Sequence, residues 1–173
     1  KYLFVCCICI LNMSAMAQSA SGIKGKVMCQ GKGISNVVVT NGFDCVLTDT
    51  KGMYSLPYHR DARFVYVTTP AGYLPQREAS LPHYYKRIDS EVENYDFTLI
   101  KNPKNDDKHI CLVQSDVQAA KASDIEGYMK YLKDVRQFVG ERRNRDIFVL
   151  DCGDIVGNAP AKFHSYIQAS NVL

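Results

Sequence analysis

The sequence predicts a mixed fold in two parts: an antiparallel β-sandwich over residues 22–100, then the first βαβ portion of an α/β domain over 109–173. Three observations predict it. Between Gly22 and Ile100, short β segments alternate with turn residues and helical periodicity is nearly absent, which is the pattern of a sandwich. Residues 101–108, Lys-Asn-Pro-Lys-Asn-Asp-Asp-Lys, are polar and charged apart from one proline, as expected of a linker. Beyond them the pattern becomes apolar strand, amphipathic helix, apolar strand, which implies a parallel pair with a right-handed crossover. A hydrophobic content of 46% with 23% charged residues is that of a folded chain. A net charge of +3 is too small to argue for nucleic acid or a membrane surface as partner.

Lys1 precedes an apolar run from Tyr2 to Leu11, followed by Ser14-Ala15-Met16-Ala17. A positive start, a short apolar core and an Ala-x-Ala site describe a secretory signal over 1–17, cleaved after Ala17. The run is too short to span a bilayer, so export to a periplasmic or extracellular location is expected, with no transmembrane segment. Cleavage leaves Cys29, Cys45, Cys111 and Cys152. Cys29 and Cys45 fall in the same domain and are free to pair or not, and no Cys-x-x-Cys suggests structural zinc.

Within the sandwich region, Ile23 to Met28 alternates with lysines and glycine, and Val37-Val38-Val39 leads to Asn41-Gly42, a strong turn signal. Val46-Leu47, Tyr54-Ser55-Leu56, Phe64 to Thr68 and Tyr95 to Leu99 supply further strands, with Asp49-Thr50-Lys51-Gly52 and Pro70-Ala71-Gly72-Tyr73 as turns. His59 and Arg60 are expected to be solvated in a polar loop. Residues 76–94 are expected to form a crossover loop, with His83-Tyr84-Tyr85-Lys86-Arg87 packed on the sheet rather than binding a ligand. Gly25-Lys26-Val27, Gly33 to Val39 and Thr48 to Leu56 together resemble the small transthyretin-like sandwich that accompanies secreted enzymes and surface proteins. That resemblance implies a module that positions or binds rather than catalyses.

In the second part, Ile110-Cys111-Leu112-Val113 is a short strand running to Gln114-Ser115-Asp116-Val117-Gln118. Ser123 with Glu126 has the spacing of a capping box. Ile125, Tyr128, Leu132, Val135 and Val139 then recur at helical spacing, and Gly140 closes the helix. Ile147-Phe148-Val149-Leu150 is a strand whose unbroken apolar run suits cover on both faces. It enters Gly153-Asp154-Ile155-Val156-Gly157-Asn158, and Pro160 suits the first turn of a further helix.

If both strands point the same way, Asp116 and Asp154 emerge on one edge of the sheet, where α/β folds bind ligands. Two adjacent carboxylates repel unless a cation lies between them, and Gln118 offers an amide oxygen two residues from Asp116. The competing reading is that both aspartates cap the helices that follow. Geometry alone leaves both open.

Ser115-Asp116-Val117-Gln118 and Cys152-Gly153-Asp154-Ile155-Val156-Gly157-Asn158 resemble the opening motifs of the calcineurin-like metallophosphoesterases, and in particular a secreted bacterial branch with an amino-terminal sandwich. The resemblance implies that Asp116 and Gln118 bind a first metal and that Asp154 bridges two divalent ions (Mn, Mg, Fe or Zn, with Mn first). By the same resemblance, a hydroxide held between them would attack the phosphorus of a small-molecule or polymeric phosphate ester. An amide at position 118 in place of the family's histidine favours harder cations over zinc. Asn158 stands where the branch has Asp. The Gly-Asn-His motif and the later histidines of the family lie outside this sequence, so the chain is expected to be an inactive piece truncated within its catalytic domain. His109 and His164 are not expected to be ligands. With so little chain to cover it, the strand 147–150 is expected to expose apolar surface. The alternative function is an exported sandwich that binds a glycan or a protein, with the α/β segment non-catalytic.

Overall fold

The computed structural model describes residues 22–173; the signal peptide expected at 1–17 lies outside the described residues. The first part is β-rich and the second is a small α/β unit, as the sequence predicts. Strands β1 (Ile23–Cys29), β2 (Lys32–Gly33), β3 (Val38–Thr40), β4 (Cys45–Leu47), β5 (Met53–Leu56), β6 (Phe64–Val67), β7 (Tyr73–Pro75), β8 (Arg77–Glu78), β9 (Leu81–Pro82), β10 (Tyr85–Arg87) and β11 (Phe97–Lys101) make up the sandwich region. One sheet has the order β2-β1-β11-β7, with β5 also paired to β1, and the other has the order β10-β6-β3-β4. The pairings are antiparallel except β1 with β11, which run parallel with Val27 opposite Phe97.

Alternation along each strand puts one side of each sheet inward. The strand β1 carries a buried residue at every second position from Ile23 to Cys29. Val27, Val39 and Val65 are wholly buried, and Leu56, Phe97 and Leu99 join them in a single core. Turn chemistry fixes the register around this core. Asn41 is buried, and its Oδ1 accepts the N–H groups of Phe43 (3.0 Å) and Asp44 (2.8 Å) while its Nδ2 donates to the Pro57 carbonyl. Asp49 Oδ1 accepts the N–H groups of Lys51 and Met53, both at 2.8 Å. Gly52 follows at φ +79°, and a Cβ there would stand 2.4 Å from the Val27 carbonyl oxygen, so only glycine closes this turn.

Two details differ from the sequence expectations, and a third settles a pairing that the sequence left open. Residues 76–94 are not a plain loop: β8 and β9 form a small hairpin, and β10 adds an edge strand to β6 with Tyr85 opposite Tyr66. His59 is stacked on Phe43, with ring centroids 3.7 Å apart and planes 8° from parallel, rather than freely solvated. Cys29, buried, and Cys45, exposed, are both free thiols.

The connecting segment is tied to both parts. Asp106 Oδ2 accepts the Gly72 N–H (2.5 Å), the Asn102 amide donates to Asp146, and Lys104 Nζ donates to the Arg145 carbonyl (2.8 Å). Beyond it, β12 (His109–Gln114) and β13 (Asp146–Asp151) pair in parallel from His109 opposite Asp146 to Gln114 opposite Asp151. The helix α1 (Ala122–Gly140) makes the crossover, and α2 (Phe163–Ser170) follows a 3-10 turn that starts at Pro160. The start of α1 is closed by Asp124, whose Oδ2 accepts the Lys121 N–H at 2.8 Å, and not by the Ser123–Glu126 pair. Tyr128, Leu132 and Val135 of the expected stripe are buried, and Tyr128 and Leu132 pack with Val156, Tyr166 and Ala169 in a second core.

Candidate functional site

Parallel pairing delivers the ends of β12 and β13 to the same edge, and two loops leave the sheet side by side. Backbone hydrogen bonds hold these loops together beyond the last strand residues. Cys152 N–H donates to the Gln114 carbonyl (2.9 Å), Asp116 N–H to the Gly153 carbonyl (3.1 Å), and Gln118 N–H to the Asp154 carbonyl (2.9 Å). Ala119 N–H continues the ladder to the Ile155 carbonyl at 2.8 Å. Asp116, Gln118 and Asp154 are thereby brought onto adjoining loops, and all three are exposed.

Their backbones share a second property. Asp116, Gln118 and Asp154 have φ of +55°, +45° and +50°, in the left-handed region that side chains with a Cβ disfavour. Gly153 and Gly157 beside them are also at positive φ. A non-glycine residue held there costs on the order of 1–3 kcal/mol, and such residues concentrate where the chain must aim a side chain or a peptide group. The reading in which these aspartates cap the following helices fails on hydrogen bonding, because α1 is closed by Asp124 and neither Lys121 nor Lys162, at the starts of α1 and α2, makes a side-chain cap.

Behind the loops lies a polar cluster that sequence reasoning missed. Asp151, the last residue of β13, accepts at Oδ2 from Gln114 Nε2 (2.8 Å) and from the Tyr166 hydroxyl (2.5 Å), and at Oδ1 from the Gly153 N–H (3.2 Å). Gln114 Nε2 also lies 3.2 Å from the hydroxyls of Tyr128 and Tyr166, whose rings stack with centroids 5.0 Å apart. Burial, reinforced by the Asp151 hydrogen bond, pushes the Tyr166 hydroxyl well above its ordinary pKa, so it remains a proton donor at neutral pH. A polar residue at the end of each apolar strand, Gln114 and Asp151, was the available signal.

The three expected ligands are oxygen donors, two carboxylates and an amide, a donor chemistry suited to hard divalent cations. Among the described residues no group of three or more His, Cys, Asp or Glu side chains converges on a metal position. His164 is exposed on α2, and His109 begins β12 at the opposite end of the sheet. An open cleft of about 880 Å³ adjoins Gln118 and runs between the β12 loop and α1, past Ser115, Lys121, Asp124 and Tyr131.

Residues 21–102 match the family model described as the N terminal of calcineurin-like phosphoesterase. Over those residues the sandwich is similar to the amino-terminal domain of that family. The match stops short of Asp116, so the calcineurin-like assignment rests on the sandwich and the site residues stand on their own geometry. No curated protein matches the chain. No helix among the described residues is long and apolar enough to cross a membrane.

Proposed function

We propose that this calcineurin-like protein acts in the metal-dependent hydrolysis of phosphate esters, and that Asp116, Gln118 and Asp154 hold the cation. The observation that carries the reading is the backbone ladder. Two loops are zipped together beyond the strand ends so that three oxygen-bearing residues, each in a left-handed conformation, occupy adjacent positions at one sheet edge. A bound divalent ion supplies neutralisation of charge on the phosphoryl oxygens and a lowered pKa for the attacking water. The chain's own residues supply the rest: Asp116 and Asp154 bring the negative charge that attracts the ion, and Gln118 adds a neutral oxygen that favours Mn or Mg over Zn. The second ion of the family would need donors other than these three. The amino-terminal sequence supports export, which places the activity in a periplasmic or extracellular setting.

The test is hydrolysis of a phosphodiester and a phosphomonoester by the full-length gene product with Mn, beside Asp154→Ala. The expected result is Mn-dependent turnover that is lost in Asp154→Ala. A well-folded product with no metal-dependent turnover would move the function to the sandwich. There a half-exposed aromatic cluster of Phe64, Tyr66, Tyr84 and Tyr85 on β6 and the β10 edge favours the binding of a glycan or a protein.

A further inference from the structure

We propose that Asp151 is the positioning residue of this site: it sets the spacing of the two ligand-bearing loops and couples them to α2. The inference rests on the metal reading above and adds to it a residue that does not touch the ion. Asp151 is hydrogen-bonded to supports of both loops. Its Oδ1 takes the N–H of Gly153, and the carbonyl of that same Gly153 receives the Asp116 N–H. Its Oδ2 takes Gln114 Nε2, and the Gln114 carbonyl receives the Cys152 N–H. The carboxylate is thus one side of a closed circuit that runs through the first loop, the second loop and back.

The remaining contact connects this circuit to the helices. The Tyr166 hydroxyl donates to Asp151 Oδ2 from α2, and Tyr166 is buried against Tyr128 of α1. A rotation of α2 would therefore reach Gly153, and through it the peptide that precedes Asp154. A carboxylate with three donors aimed at it holds its orientation better than a lone one. The register of β12 and β13, with Gln114 opposite Asp151 on the face that bears the helices, makes the bridge possible. Partners behind metal ligands ordinarily contribute about 10–100-fold to metal affinity through such positioning.

The experiment is Mn(II) binding to the full-length gene product, followed by electron paramagnetic resonance, for the wild type, Asp151→Ala, Asp151→Asn, Tyr166→Phe and Asp154→Ala, each with its metal-free melting temperature. Asp151→Ala should weaken Mn binding at least about 10-fold. Asp151→Asn retains an oxygen for the Gly153 N–H and should recover most of that loss. Tyr166→Phe, which removes one donor and no packing, should give a smaller loss with little change in melting temperature, and it keeps the question answerable if Asp151→Ala does not fold. Asp151→Ala and Tyr166→Phe with wild-type Mn affinity, beside an Asp154→Ala that has lost it, would overturn the positioning role and leave the metal site standing. Wild-type affinity in Asp154→Ala would remove the metal reading itself, and the role of Asp151 with it.

Discussion

The two parts of this chain solve the burial problem to different degrees. In the sandwich, two sheets face each other, and the inward residues of every long strand are covered, down to 0% exposure at Val27, Val39 and Val65. In the α/β unit, helices cover only one face of β12 and β13. Gln114 and Asp151 lie on that covered face, whereas Val113 and Leu150, paired in register on the other, are 63% and 51% exposed. The left-handed residues divide the same way. In the sandwich region Gln30, Asn36 and Ala79 are scattered singly, but Asp116, Gln118 and Asp154 are gathered at one edge of the α/β unit. Stability resides mainly in the first part, and the strained conformations that aim side chains reside in the second.

The sharpest way to break this comparison is a matched pair of truncations. Leu56 is 1% exposed in the sandwich core, and Leu56→Ala should destabilise the protein by about 2–5 kcal/mol. Leu150→Ala removes the same atoms from a half-exposed position and should cost about 0.5 kcal/mol or less. Urea denaturation of both variants checks it. A large loss at Leu150 would mean that its face is covered in solution.

That uncovered face also shows what the sequence could and could not tell. The four apolar residues of 147–150 were legible as a strand meant for cover on both faces, yet Phe148 and Leu150 are exposed on the face that the helices leave open. The strands of the sandwich were legible because alternation and turn residues are local properties. The strands at Arg77–Glu78, Leu81–Pro82 and Tyr85–Arg87 were not, because backbone pairing with a neighbour places them and their side chains alternate weakly. At the site, strand direction alone predicted that Asp116 and Asp154 would share an edge. Asp151 stayed hidden because its side-chain partners Gln114 and Tyr166 come from two other elements.

A second, smaller effect compares the two buried tyrosines. The Tyr54 hydroxyl, buried in the sandwich where it donates to the Tyr95 carbonyl, is pushed above its ordinary value of 10.0, chiefly by burial and further by Asp96. Tyr166 is pushed up in the same direction. A raised pKa means that the folded state holds its proton more tightly than the unfolded state. The stabilisation is therefore complete below pH 10, and it declines as pH rises from there toward the folded-state values. Stability measured between pH 9 and 11 should fall in the wild type. Tyr54→Phe and Tyr166→Phe should each flatten part of that fall, and a slope unchanged in both would separate the alkaline loss from these hydroxyls.

A further small effect has the opposite sign and tests the strain directly. Asp116 has φ +55°, a conformation that glycine adopts freely and aspartate does not. Its side chain is exposed, and its hydrogen bond from Ser115 Oγ lies at the surface, so Asp116→Gly removes little packing. Substitution relieves the backbone at the site but also frees the unfolded chain, which offsets part of the gain. The net result should be a metal-free protein more stable by up to about 1 kcal/mol. The same variant should bind Mn more weakly, because an oxygen donor is gone. Asp116→Ala, which loses the carboxylate but keeps the Cβ, should weaken Mn equally without the gain in stability. If both variants melt at the wild-type temperature, the left-handed backbone at this edge stores no energy. If they melt apart while losing Mn alike, the chain accepts strain at this position in order to present a carboxylate there.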